Sequence, residues 1–126
     1  MSYLVRRLRS IRFALQGLKS LVHTQPNARV HTLASVLVLM GGGYFNVSRL
    51  EWALLIGAMG AVWTAEALNT AIEWAVDLAS PDHHVLAGQA KDVAAAGVLL
   101  ASCTAVVIGL LVFTPYFVAL VGLSRR

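Results

Sequence analysis

The chain is poor in charge and has almost no cysteine. Charged residues make up 13% of its 126 residues, and only six are acidic. A soluble surface needs roughly a quarter of its residues charged, so this is not a free-standing soluble domain. The one cysteine, Cys103, lies in an apolar run, which excludes an intrachain disulfide and reads as packing. No Gly/Ser/Pro-rich linker, low-complexity tract or tandem repeat appears, so a single domain over residues 1–126 is expected. A signal peptide is not expected either. The basic start runs into F-A-L-Q-G-L-K-S-L-V, which Gln16 and Lys19 interrupt before any long apolar core.

What is present is apolar. Hydrophobic residues reach 58% and the mean hydropathy is +0.72, values of a small all-α integral membrane protein. The net charge of +4 is concentrated at the start, where Arg6, Arg7, Arg9, Arg12 and Lys19 precede any long apolar run. In a soluble chain a pI near 9.8 points to nucleic acid. Here it points to a basic collar facing the cytoplasmic side of a membrane, with no nucleic-acid partner.

The spacing predicts an N-terminal amphipathic helix over about 3–22, with Leu4, Leu8, Ile11, Leu15, Leu18 and Val22 on one face. It packs on its own protein or, the favoured reading, lies in the membrane interface. Three transmembrane helices are expected at about 28–46, 50–79 and 90–122. Pro26 suits the first turn of the first span, and Gly41, Gly42 and Gly43 are expected to loosen its far end. The second span is long enough to tilt or to project into the cytoplasm. Basic-residue bias puts the N-terminus and the loop 80–90 inside, with Arg125 and Arg126 running mildly against the rule. Small residues recur every four positions, at Ala53, Gly57, Ala61 and Ala65 and again at Gly97, Ala101, Ala105 and Gly109, a pattern that lets helices approach closely in lipid.

The most informative stretch is E-A-L-N-T-A-I-E-W-A-V-D, which sets Glu66, Asn69, Glu73 and Asp77 on one helix face. At about 100° per residue they fall within an arc of roughly 80° and span roughly 16 Å of axis. A carboxylate in hydrocarbon costs several kcal/mol, so three on one stripe require a cation, a partner helix or a polar substrate. Three spans cannot enclose so long a stripe, and protomers sharing it, as a ring, are expected. Three readings follow. The stripe joins helices of an oligomer by hydrogen bonds; it conducts ions, against which stands the apolar outer half L-L-I-G-A-M-G-A-V-W; or it serves metal-assisted phosphoryl transfer. In the last, Glu73 and Asp77 serve metal or nucleotide. Lys91 binds phosphate, or merely snorkels to the interface, and the deep Glu66 takes a proton from a hydroxyl.

The stripe, followed after a short His-containing loop by A-K-D-V-A-A-A and preceded by an F-A-x-x-G-L start at Phe13 to Leu18, resembles the signature of the small prokaryotic diacylglycerol kinase and undecaprenol kinase family. The resemblance covers nearly the whole chain. It implies a homotrimer of three-span protomers with an N-terminal surface helix and shared active sites, in the bacterial inner membrane, with N-terminus and site cytoplasmic. It implies transfer of the γ-phosphate of ATP to a lipid hydroxyl, with Mg²⁺. By the same resemblance Glu66 matches the catalytic base and Glu73 a metal-binding carboxylate. Asn69, Asp77, Lys91 and Asp92 match polar residues around nucleotide and acceptor. Arg6 and Arg9 resemble basic residues near the nucleotide, and Gly17 a glycine that lets the surface helix approach closely.

The chain departs from the family at Gln25, where a second metal-sharing Glu is usual. An amide oxygen is a poorer Mg²⁺ ligand than a carboxylate, which puts metal affinity and rate in question. The segment N-A-R-V-H, ending at His31, resembles the prenol-kinase branch and slightly favours undecaprenol over diacylglycerol. His31 otherwise caps a helix contact. His83 and His84 read as a solvated loop more readily than as a zinc site. Trp52 and Trp74 read as interfacial anchors and Trp63 as span packing. The expected function is a membrane lipid kinase acting on undecaprenol or diacylglycerol. The alternative of another class is a catalytically weak homologue that binds nucleotide or lipid and regulates.

Overall fold

The computed structural model describes residues 3–82 and 84–123, the side chains of Leu4 and Leu123 excepted. His83, Arg125 and Arg126 therefore lie outside the described residues. Four helices follow in order: α1 (Tyr3–Thr24), α2 (Pro26–Tyr44), α3 (Arg49–Ala79) and α4 (Val85–Leu123). The elements are those expected, but several boundaries move, each for a local reason.

A single residue separates α1 from α2. Pro26 has no N–H to give and restricts Gln25 to extended backbone, observed at φ −102° and ψ 117°. Arg29 then reaches back across the break, donating from Nη2 to the His23 carbonyl at 2.6 Å and from Nε to the Val22 carbonyl at 3.3 Å. These are the orphan carbonyls at the end of α1, and an arginine there is a favourable cap.

At its other end α2 stops at Tyr44, two residues early. Asn46 takes the left-handed conformation, φ 52°, while Val47 N–H donates to Gly42 and Asn46 N–H to Gly43. That is a Schellman closure with asparagine in place of glycine. Ser48 and Glu51 follow as a reciprocal capping box and start α3. The last helix begins at Val85 rather than near 90, because His84 caps it. Its Nδ1 accepts the Leu86 N–H at 3.2 Å and its carbonyl accepts from Gly88.

At ~1.5 Å per residue, α3 spans roughly 46 Å and α4 roughly 58 Å, against about 30 Å of hydrocarbon. Both are long and apolar enough to cross a membrane, and only 28% and 11% of their most apolar windows is buried. The core helices of a soluble protein would be mostly covered. The 19-residue α2 does not reach that level of hydropathy, because Asn27, Arg29 and His31 occupy its first two turns and three glycines its last. Among the described residues two helices, not three, therefore qualify as spans on length and composition.

α3 and α4 form an antiparallel pair and make the most extensive contact; α2 lies on α3, and α1 touches α2 and α3. At the end where α2 turns into α3, Val47, Leu55 and Val112 form a buried cluster, with Phe45, Trp52, Phe113 and Tyr116 around it. Trp52 is thus core rather than an interfacial anchor. Nor do Gly41 and Gly42 simply loosen this end: they make room. A Cβ on Gly42 would lie 2.6 Å from the Trp52 ring, and one on Gly41 3.3 Å from Phe113. Trp63 does pack between helices, donating from Nε1 to Ser35 Oγ at 3.1 Å.

The small-residue stripes serve this contact only in part. Ala53, Gly57 and Ala61 of α3 are exposed, and Gly57 and Gly97 have nothing within 4 Å of an added Cβ. Along α1, Leu8, Ile11, Leu15 and Leu18 are 49–62% exposed, and only Leu21 is buried.

Overpacking of this kind costs about 1–3 kcal/mol. Gly42→Ala is therefore expected to lower unfolding free energy in detergent micelles by that amount. Gly43→Ala, whose added Cβ meets nothing within 4 Å, is expected to be neutral or stabilising by up to about 1 kcal/mol through helix propensity.

Candidate functional site

The inner face of α3 changes chemistry halfway along. Leu55 and Val62 are buried apolar residues; one turn further the buried positions are Glu66, Asn69 and Thr70, at 1%, 7% and 2% exposure. The helix period makes this unavoidable: the face that α2 and α4 cover at Val62 is the face on which Glu66, Asn69 and Glu73 recur. Burial then declines along the stripe. Glu73 is half-buried and Asp77 is exposed.

Glu66 is the largest fully buried side chain. Its Oε2 has no hydrogen-bond partner and stands 3.9 Å from Nε2 of His31 on α2, which is unpartnered as well. Asn69 donates from Nδ2 to Glu73 Oε1 at 3.0 Å, which leaves Asn69 Oδ1 without a partner. Ser102 Oγ on α4 and Thr70 Oγ1 on α3 are buried without partners too. Native interiors pair nearly all such atoms, so an unpartnered carboxylate oxygen and four further orphan atoms on α2, α3 and α4 mark a place built for something other than packing.

Two cavities adjoin α3 beyond Glu66, which itself lines neither. One, of about 320 Å³, lies between α2, α3 and α4 and is lined by His31, Asn69, Glu73, Asn27 and Ser102 with apolar neighbours. The other, of about 400 Å³, is an apolar groove between α1 and α3, lined by Gly17, Leu18, Leu21, Thr70 and Trp74 among others. Its dimensions and lining suit hydrocarbon, with one hydroxyl, Thr70, at its wall.

Of the residues picked out from the sequence, Glu66, Asn69, Glu73 and His31 come together. Asp77 and Lys91 also meet, Lys91 Nζ donating to Asp77 Oδ1 at 2.9 Å near the mouth of the α3–α4 hairpin. Asp92 is exposed on α4. Gln25 is half-buried at the α1–α2 break, and its side chain makes no cap there. Gly17 borders the apolar groove, but a Cβ there would meet nothing within 4 Å, so within one chain it is not a point of close approach. Arg6 and Arg9 are exposed on the first half of α1, whereas the residues of α1 that border the groove, Ala14 to Leu21, belong to its second half.

Asn27, Thr70 and Ser102 escaped the sequence reading. Thr70 stands next to Asn69 in the stripe and was within reach of it. Ser102 is a single hydroxyl in an apolar run, and only the packing of α4 on α3 gives it a place.

Among the described residues no three acidic, histidine or cysteine side chains converge as a ready metal cage. The donor set still fits a hard divalent cation that brings most of its own ligands. Glu73 offers carboxylate oxygens on the wall of a polar cavity and is held in orientation by Asn69.

Buried acid, polar cavity and apolar groove, on helices fit to cross a bilayer, define a membrane enzyme acting on an amphiphile. Comparison with known proteins agrees. Residues 12–113 match the family model described as prokaryotic diacylglycerol kinase. The chain is 38% identical over 110 residues to the undecaprenol kinase of Bacillus subtilis (strain 168), covering 87% of this chain and 89% of that one. It is 37% identical over 112 residues to a diacylglycerol kinase of Synechocystis sp., covering 88% of this chain and 64% of that one. With the diacylglycerol kinase of Escherichia coli (strain K12) the identity is 29% over 112 residues, 89% and 92% of the two chains. The chain belongs to the prokaryotic diacylglycerol kinase family. It is a membrane lipid kinase, a phosphotransferase that draws on ATP.

The Asp77–Lys91 pair is well exposed, with side chains 63% and 39% accessible. An ion pair so placed contributes little to stability. Asp77→Asn is expected to leave the unfolding midpoint in micelles unchanged; a clear drop would make the pair structural.

Proposed function

We propose that this chain transfers the γ-phosphate of ATP to the hydroxyl of a membrane lipid with Glu66 as general base. Undecaprenol is slightly favoured over diacylglycerol as the acceptor. The observation that carries this is Glu66 itself: a carboxylate 1% exposed, with an oxygen that nothing in the chain hydrogen-bonds. Such an oxygen is costly as structure and suited to accept a proton. In the proposed step the lipid O–H gives its proton to Glu66 as its oxygen attacks the γ-phosphorus. The bond from that phosphorus to the β,γ-bridging oxygen breaks, and ADP leaves with the electron pair.

The other residues take supporting roles. Asn69 and His31 position the acceptor, and the groove beside Gly17 and Thr70 takes its hydrocarbon. Glu73, with Gln25 as a weak second ligand, holds Mg²⁺, which when bound neutralises phosphate charge. Asp77, Lys91 and Asp92 attend the nucleotide, Lys91 sharing its ammonium between Asp77 and phosphate. Arg6 and Arg9 join them only through a neighbouring protomer or a movement of α1, since both are exposed on its first half.

That requirement supports a homotrimer with shared sites, as does the exposed small-residue face Ala53, Gly57 and Ala61. α2, with its apolar middle between Leu33 and Met40, makes the third crossing once neighbours cover its polar first turns. The exposed apolar side of α1 lies on the inner leaflet. In this arrangement the N-terminus and the site face the cytoplasm of a bacterial inner membrane.

Purified protein in mixed micelles, with labelled ATP and both lipids in competition, tests the proposal. The expected outcome is phosphorylation with a higher kcat/KM for the polyprenol, and a loss of about 10²–10⁴-fold in kcat for Glu66→Gln at nearly unchanged ATP binding. A clear preference for diacylglycerol reverses the choice of lipid, and a Glu66→Gln protein that keeps most of its turnover removes the base. ATP binding without transfer to either lipid would leave the regulatory homologue as the better reading.

Gln25 generates a second expectation. Restoring a carboxylate at a partly buried site adds attraction worth about 1 kcal/mol or more. Gln25→Glu should therefore lower the Mg²⁺ concentration for half-maximal rate by up to roughly tenfold. An unchanged Mg²⁺ dependence would take Gln25 away from the metal.

A further inference from the structure

We propose that His31 is the proton exit of the site. Its imidazole accepts the proton that Glu66 has taken from the lipid hydroxyl and releases it to water in the cavity between α2, α3 and α4. The inference rests on Glu66 acting as the base.

A base must be reset after every turnover, and the structure makes that difficult for Glu66. The residue is 1% exposed and lines neither cavity. Once protonated at Oε2, the oxygen buried without a partner, it faces His31 and not open water. His31 spans that gap. Its Nε2 stands 3.9 Å from Glu66 Oε2, and neither atom has another hydrogen-bond partner. The same ring lines the polar cavity, and its side chain is 17% exposed. A small rotation of either side chain closes the remaining ångström to hydrogen-bonding distance, a tightening common when a catalytic site fills.

The surroundings leave the ring free for the task. From α3 the ionisable groups near it are Glu66 and Glu73; α4 offers Ala95, Val98, Leu99 and Ser102, none of which titrates in the working range. On its own helix, Arg29 is turned away to the Val22 and His23 carbonyls. α1 contributes nothing to this cavity's lining. Imidazole is the side chain whose ordinary range allows it to take and give a proton near neutrality.

The steps balance. The lipid O–H proton passes to the Glu66 carboxylate as the phosphoryl group transfers. The resulting carboxylic acid passes it to neutral His31 at Nε2, giving carboxylate and imidazolium. The ring then turns Nε2 from Glu66 to the cavity and releases that same proton to water there, so that on its return Nε2 is again free to accept and both groups are back in their starting forms.

The test is the pH–rate profile of kcat in mixed micelles for the full chain, wild type against His31→Ala and His31→Gln. For His31→Ala, kcat is expected to fall about 10²-fold, beyond any rise in lipid KM from the lost positioning of the acceptor. Millimolar imidazole, which the vacated space and adjoining cavity accommodate, should restore a substantial part of the rate. In both variants the shape of the profile should differ from that of the wild type, the limb that His31 contributes being lost. The relay is overturned if either variant keeps the wild-type kcat and profile, or if rate is lost with the profile intact and no rescue by imidazole. Should His31→Ala fail to fold, the profile of His31→Gln decides alone. Glu66→Gln run in parallel separates the two ideas. Full turnover in Glu66→Gln removes the base and the relay with it. An inactive Glu66→Gln beside a wild-type-like His31→Gln removes the relay and keeps the base.

Discussion

One buried carboxylate governs this structure. Glu66 is held at 1% exposure on a helix long and apolar enough to cross a bilayer, and its nearest ionisable neighbour is a histidine 3.9 Å away. Burial of an acid without hydrogen bonds is among the more expensive arrangements a protein adopts. Here the neighbouring elements organise around it. α2 brings His31 to one side, α4 brings Ser102 to the same cavity, and α1 closes an apolar groove over the Thr70 side. The five orphan polar atoms are a cost in stability of the kind that active sites commonly carry.

The opposite end of the bundle supplies the rigidity that such a site requires. Gly42 admits the Trp52 ring, Asn46 closes α2, and the Ser48–Glu51 box opens α3. Tyr116 from α4 donates its hydroxyl to Glu51, and Phe45 stacks against Phe113, Tyr116 and Phe117. Every one of these contacts lies near the α2–α3 turn. Helices pinned firmly at one end and separated by cavities at the other present a polar pocket at fixed geometry with room for a lipid to enter. The apolar outer faces, from Leu100 to Leu110 and Leu111, are left to the bilayer.

The membrane class, the four helices and the acidic stripe were legible in the sequence. Hydropathy and the 3.6-residue period act locally, and Glu66, Asn69, Glu73 and Asp77 share a face in any helix that contains them. Helix ends were less legible. The capping of α4 by His84 and the closure at Asn46 depend on side-chain and backbone hydrogen bonds that composition does not reveal. The roles of Trp52 and of the glycine triplet were misjudged for a related reason: a glycine reads as looseness until the ring that fills its space is known.

Within the site the division is similar. The sequence by itself determined that three carboxylates and an asparagine would line one side of one helix, because periodicity is a property of a single element. Only the tertiary structure decided that burial falls from Glu66 to Asp77, that His31 faces the deepest acid, and that Ser102 and Asn27 share its cavity. Equally, only the tertiary structure separated Arg6 and Arg9 from the residues of α1 that border the site. Those outcomes depend on which faces of different helices meet, and no residue's local pattern contains that information.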